Sequence, residues 1–318
     1  MPVLKGRPVS DVKCNVIIDS CCDLPPAVID VPGVELLRFP FMLDGEEHFD
    51  DMFESLPARD FYNRMRKGAE ASTAQIPMHI ITEAFERAVE SGVPTVYLGF
   101  TSGLSGNFNT TELIRDQVVA EHPDAELYVV DTHLASIAEG LLVYEAIRQR
   151  AKGLTASELA AWAEEARFYV NELFTLDELE WLRKGGRIPA SVAFAGSKLD
   201  VKPMLDISID GKLSLSGVAR GRKKGIRQLA EFYRRNAAEL GAGSYVVIGN
   251  ADCPKDVERL KDEIVKIDDT VLFLETSIGP VIGCHVGPGM LAISFMGKDT
   301  RDDLSVSDRI AKKVRNKG

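Results

Sequence analysis

Residues 95–108 read "TVYLGFTSGLSGNF", and the reading of this stretch decides the fold. The β-branched and aromatic run "TVYLGF" predicts a buried strand. A glycine-rich turn follows, and "NTTELIRDQVVAEHP" (109–123) has helical spacing that stops before Pro123. Where a strand runs through a glycine-rich turn into a helix, free backbone N–H groups and the helix dipole form an anion site. The hydroxyls of Ser102 and Ser105 would add donors. Two catalytic readings fail on spacing. A serine-hydrolase elbow needs a second glycine where Asn107 stands, and a phosphate-cradling Walker loop needs a lysine after Gly106. An anion-binding turn and a plain helix N-cap both stay open.

Outward from this unit, strands and helices alternate. "NVIIDSCCDLP" (15–25) predicts a buried strand and a turn, and "GVELLRFPFML" (33–43) one further apolar run of strand length. "PARDFYNRMRKG" (57–68) is helical, and "AEASTAQIP" (69–77) is a polar loop carrying Thr73 and Gln75. Then come a helix over 78–92, a strand in "ELYVVDT" (126–132) and an amphipathic helix in "IAEGLLVYEAIRQRAKG" (137–153). Such alternation predicts an α/β fold with a mostly parallel sheet and helices on its faces. Thr155 followed by Glu158 predicts a capping box, which sets a domain boundary near 150–155. Beyond it, "MLDISIDGKLSLSG" (204–217) predicts a hairpin turning at Asp210-Gly211, with strands at 245–251 and 271–277. Residues 278–297 carry no Asp, Glu, Lys or Arg, but their five glycines and two prolines argue against a lipid-spanning helix. They read as two short buried strands around a Gly-Pro turn. The charged tail, 298–318, reads as helical or frayed.

Composition narrows the function. The chain has 318 residues, 45% hydrophobic and 27% charged, with a net charge of −10, which argues against nucleic-acid binding. Five cysteines without a CxxC predict reduced thiols and a cytoplasmic protein, and the N-terminus has no apolar signal-peptide core. His48, His79, His122 and His133 lack metal-ligand spacing, so neither a metal nor another cofactor is expected. Seven Lys or Arg between 220 and 235 predict a basic helix face, either simply solvated or a dock.

Taken in order, these stretches resemble the DegV family of bacterial fatty-acid-binding proteins. The resemblance rests on "DSCCDLP", "STAQIP", "TSGLSGNF", "DTHLASIAEG", "LEWLRKGGRI", "VKPML", "RGRKK" and "HVGPG", over roughly residues 15–297. It implies two α/β domains. Residues 1–153 would hold a mostly parallel, Rossmann-like sheet with carboxylate-binding loops; residues 154–318, a mixed α/β domain, would complete an acyl pocket. The implied role is a non-catalytic subunit that binds a long-chain fatty acid and presents it to a fatty acid kinase, which makes the acyl phosphate. The implied carboxylate ligands are Thr73, Ser105, Gly106 and His285. Arg187 and Arg220 match basic family positions near the carboxylate or on the kinase surface. The basic 220–235 face would then meet the kinase or, transiently, anionic lipid headgroups at a membrane surface. Cys21, Cys22, Ala74, Ile76, Asn107 and Ala138 depart from the family pattern. The competing readings are an acyl-ester hydrolase using Ser105 and His285, and a binding module for a phosphorylated metabolite.

Overall fold

The computed structural model of the protein describes residues 12–188, 201–241 and 243–303. The first half runs β1 (Asn15–Asp19), α1 (Pro26–Ile29), β2 (Val34–Leu37), β3 (Pro40–Leu43), β4 (Glu46–Phe49), α2 (Ala58–Arg66), β5 (Ala71–Thr73), α3 (Met78–Glu90), β6 (Thr95–Gly99), α4 (Asn107–Glu121), β7 (Leu127–Asp131) and α5 (Ser136–Ala151). The second runs α6 (Ala156–Ala166), β8 (Val170–Thr175), α7 (Glu180–Lys184), β9 (Val201–Ile207), β10 (Leu213–Arg220), α8 (Arg222–Asn236), β11 (Tyr245–Asn250), α9 (Pro254–Val265), β12 (Leu272–Ser277), α10 (Pro280–Val286) and β13 (Leu291–Met296).

The opening stretch behaves as its sequence dictates. All five residues of β6 are buried, as a strand covered on both faces requires. It lies in a parallel sheet of order β2-β1-β6-β7. Strand order reverses between β1 and β6, and the crevice beyond their carboxyl ends is where open α/β sheets hold ligands. The second sheet, β10-β9-β8-β13-β11-β12, is mixed; only β11 and β12 pair in parallel. The expected hairpin forms from β9 and β10. The Thr155 capping box forms as well, the Thr155 and Glu158 side chains each bonding the other residue's backbone N–H.

The helix α5 lies between the two sheets. It packs on β8, β11 and β13 of the mixed sheet and on α6, which in turn covers β6 and β7. Its first eight residues, Ser136 to Val143, are all buried, so it is apolar nearly all round rather than amphipathic. The division at 153/154 falls between α5 and α6, each of which packs on the sheet from the other side of it.

Three local expectations are corrected. Residues 33–43 make two strands, because Phe39 turns inward and Pro40 starts β3 in a separate antiparallel sheet, β4-β3-β5. The polar loop 69–77 contains β5, whose Thr73 pairs with Phe41 of β3. Residues 278–297 hold one strand, not two: Gly279 caps and Pro280 begins α10, seven residues long, before β13. Proline at the first helical position favours this start because its missing N–H would be unpaired there anyway. The charged tail beyond residue 303 lies outside the described residues. Among the described residues, no helix is long and apolar enough to cross a membrane. All five cysteines are free thiols.

Candidate functional site

At the carboxyl ends of β1 and β6 the two halves enclose a cavity of about 290 Å³. One wall comes from the first half, with Thr73, Phe100, Leu104 and Ser105. The other comes from the second half, with Phe174, Leu182, Ile207, Leu213, Ile282 and His285.

Its polar groups form one connected set. Thr73 Oγ1 and His285 Nε2 lie 2.9 Å apart, which joins the end of β5 to α10. The backbone of Gly185 closes on the imidazole, so that a Cβ at 185 would stand 2.2 Å from Nδ1. Arg187 donates to the Gly185 carbonyl (2.6 Å) and to the Leu104 carbonyl (3.3 Å), which places its guanidinium between the histidine and the opening loop. Burial, and then the Arg187 charge, lower the His285 pKa to about 4, so the ring is neutral at physiological pH. Among the described residues, its buried Nδ1 has no hydrogen-bond partner.

The opening loop reaches the same place. Gly106 is the N-cap of α4, and the Ser105 hydroxyl accepts the Asn107 N–H (3.2 Å), leaving its own proton free to donate. The Asn107 side chain accepts the Ile76 N–H (3.0 Å), and Thr110 donates to Gln75 (3.3 Å), fixing the 73–76 segment against α4. Ser102 is a turn residue whose N–H is taken by Asp131.

The β9–β10 hairpin closes over this loop. Thr101 donates to the Gly211 carbonyl (3.0 Å), and the His133 Nδ1 lies 3.2 Å from the Ile209 carbonyl. A Cβ at Gly103 would stand 2.3 Å from the Gly211 oxygen, so only glycine permits this approach.

Beneath the crevice lies a group of buried carboxyls. Asp19 accepts from the Tyr97 hydroxyl (2.8 Å), the Phe100 N–H (2.9 Å) and the Cys21 N–H (3.0 Å). Asp23 accepts from the Ser136 hydroxyl (2.5 Å) and the Gly279 N–H (2.8 Å), tying the start of α5 to the start of α10. Ser136 takes a positive φ of 52°, and its bond to Asp23 holds that conformation. Burial raises the pKa of Asp19 to about 6 and that of Asp50 to about 7, and pushes Asp23 and Glu139 well above the carboxylate range. Among the described residues, no group of three or more His, Cys, Asp or Glu is placed to hold a metal ion.

Of the residues singled out in the sequence, Thr73, Ser105, Gly106, His285 and Arg187 all line the one cavity. Arg220, at the exposed end of β10, does not. The basic cluster also divides. Arg222 is taken up internally by Asp256 (2.8 Å) and the Gly289 carbonyl (2.7 Å), and Arg234 and Arg235 pair with Glu231. Sequence reasoning passed over Glu172, a cavity-lining acid within the fully buried strand β8. Its only sequence signal is a lone charge inside an apolar run.

The same chain course recurs in known proteins. A model of the DegV family, described only as a family of uncharacterised proteins, matches residues 13–298. A DegV domain-containing protein of Clostridium perfringens is 34% identical over 290 residues, covering 91% of this chain and 99% of that one. A DegV lipid-binding protein of Thermotoga maritima superposes with a TM-score of 0.78 at 27% identity, covering 90% of this chain and 99% of the other. A DegV family protein of Thermus thermophilus, solved for its fatty acid binding, does so with a TM-score of 0.78 at 25% identity, covering 90% of this chain and all of the other. By its family match over nearly the whole described length, and by its identity to a DegV domain-containing relative over almost all of both chains, the chain belongs to the DegV family.

Proposed function

We propose that this protein binds a long-chain fatty acid, with the acid's carboxylate at Thr73, Ser105, the Gly106 N–H and His285, and its chain in the cavity between the two halves. The observation that carries this reading is the cavity itself: apolar walls from both halves, with Thr73, His285, Arg187 and the opening loop joined into one polar set. Burying about sixteen methylenes contributes on the order of 10 kcal/mol before ordering costs. Each hydrogen bond to the charged head contributes about 1.5–3 kcal/mol. The chain therefore dominates affinity, and the hydroxyls fix the head. Neutral His285 can donate to a carboxylate without burying an ion pair.

The carboxylate so held is presented, on this reading, to a separate fatty acid kinase that phosphorylates it. Arg220 and the exposed part of the 220–235 helix suit a surface that meets that kinase. A hydrolase is the weaker reading. His285 bonds Thr73 rather than Ser105, and among the described residues no carboxylate orients its Nδ1.

Native mass spectrometry of the purified protein, before and after extraction with organic solvent, is expected to show one fatty acid per chain and its recovery on reloading. Persistent ligand-free protein that takes up no labelled fatty acid would refute the binding role. Equal acyl phosphate formation by a fatty acid kinase with and without this protein would refute the presenting role alone.

A further inference from the structure

The cavity holds a second polar locus that the carboxylate site leaves unused. On β8, Glu172 and Phe174 point to the same face, alternating as strand residues do. Directly across, on β13, stand Ser294 and Ala292, so that Glu172 faces Ser294 and Phe174 faces Ala292. Glu172 is only 9% exposed and lines the cavity; among the described residues its Oε1 has no hydrogen-bond partner. Ser294 is fully buried and does not line the cavity, which leaves Glu172 as the polar group of this face that a ligand can reach. Among the described residues, no cation pairs with Glu172, and no hydrogen bond joins it to Thr73, His285 or Arg187. Burial, and then the charge of Asp206, push its pKa well above the carboxylate range. It therefore stands in the cavity as a neutral acid, able both to donate and to accept. Buried polar groups without partners are rare because leaving them unpaired is unfavourable. Glu172, unpaired at the wall of a largely apolar cavity, is a recognition element for an oxygen atom.

We propose that Glu172 selects an oxygenated acyl chain: a fatty acid with a hydroxyl group along its chain, remote from the carboxylate. This rests on the fatty-acid reading above and narrows its substrate class. The chain hydroxyl would pair with the Glu172 carboxyl, in place of a methylene that leaves it unpaired. A site built to hydrogen-bond a substrate hydroxyl discriminates strongly against the analogue without it.

The test is displacement of a labelled fatty acid from the delipidated full-length protein by stearic acid and by hydroxystearic acids with the hydroxyl at successive mid-chain and near-terminal carbons. At least one positional isomer is expected to bind about tenfold tighter than stearic acid. Glu172→Leu should keep or improve stearic acid binding, which shows it folded, and should abolish the preference. Glu172→Gln, which retains a donor and an acceptor, should preserve most of it. No tighter isomer in the wild-type protein, or a full preference surviving Glu172→Leu, would overturn this inference while leaving fatty-acid binding intact. Failure of every acid to bind would overturn the parent reading and this one together.

Discussion

Replacing Asp50 by asparagine should reverse part of the protein's pH dependence of stability. Asp50 is fully buried, and its Oδ1 accepts the Met52 N–H at 3.0 Å. Burial, with smaller additions from the charges of Asp51 and Asp19, raises its pKa from 3.8 to about 7. The native state therefore keeps this proton up to about pH 7, whereas the unfolded chain releases it near pH 4. In that window the native state binds more protons, so stability falls as pH rises and levels off above the native pKa. Between about pH 6 and about pH 8 the remaining fall amounts to roughly one pK unit, about 1.4 kcal/mol. Asparagine keeps the turn, because its carbonyl can accept the same N–H, and it cannot titrate. Urea unfolding of both proteins across this range is expected to show the variant gaining about 1.4 kcal/mol on the wild type as pH rises. The comparison cancels the other titrating groups, His285 among them. Its lowered pKa of about 4 acts in the opposite sense, contributing stability that is lost as pH falls below about 6.5. Parallel curves, or a variant that loses ground with rising pH, would refute the assignment of this proton to Asp50.

Two further outcomes follow from the site's geometry. Thr73→Val keeps the shape but removes the hydroxyl that meets His285, and should weaken fatty-acid binding roughly tenfold or more in a displacement assay, with little change in fold; unchanged affinity would remove Thr73 from the head-group site. Gly103→Ala puts a methyl 2.3 Å from the Gly211 oxygen and should lower stability by about 1–3 kcal/mol while speeding amide hydrogen exchange at 208–212. Gly217→Ala, whose Cβ meets nothing within 4 Å, is the control, and equal behaviour of the two would show that the hairpin does not rest on the loop.

What the sequence disclosed, and what it withheld, follows from how local each signal is. β6 and β1 are legible because strands covered on both faces need unbroken apolar runs. The Thr155 cap is legible because it is complete within four residues. α10 misleads because a short helix buried on nearly every side has no polar face to mark its period. β5 is short, and its pairing comes from β3 some thirty residues away. The site is less local still: Thr73 and His285 are 212 residues apart, and no spacing rule joins them. Their association came from ordered resemblance, and the fold supplies the contact. Glu172 was illegible because one acid in a strand does not say whether it faces solvent or a cavity.

The placement of α5 has a consequence for how a ligand is exchanged. Two lobes joined by a linker can swing apart on a hinge. Here the helix is wedged between the lobes, and swinging them apart would strip its buried face and break the bond from the Gly279 N–H to Asp23, which joins the second half to the first. The body is therefore a single cooperative unit. The periphery is looser: the turn of the β9–β10 hairpin, residues 208–212, rests on Thr101 and His133, whereas Met204, Leu205 and Ala219 of its strands belong to the core. On the fatty-acid reading, opening at that turn would let the rate of ligand exchange change while the stability of the core stays as it is.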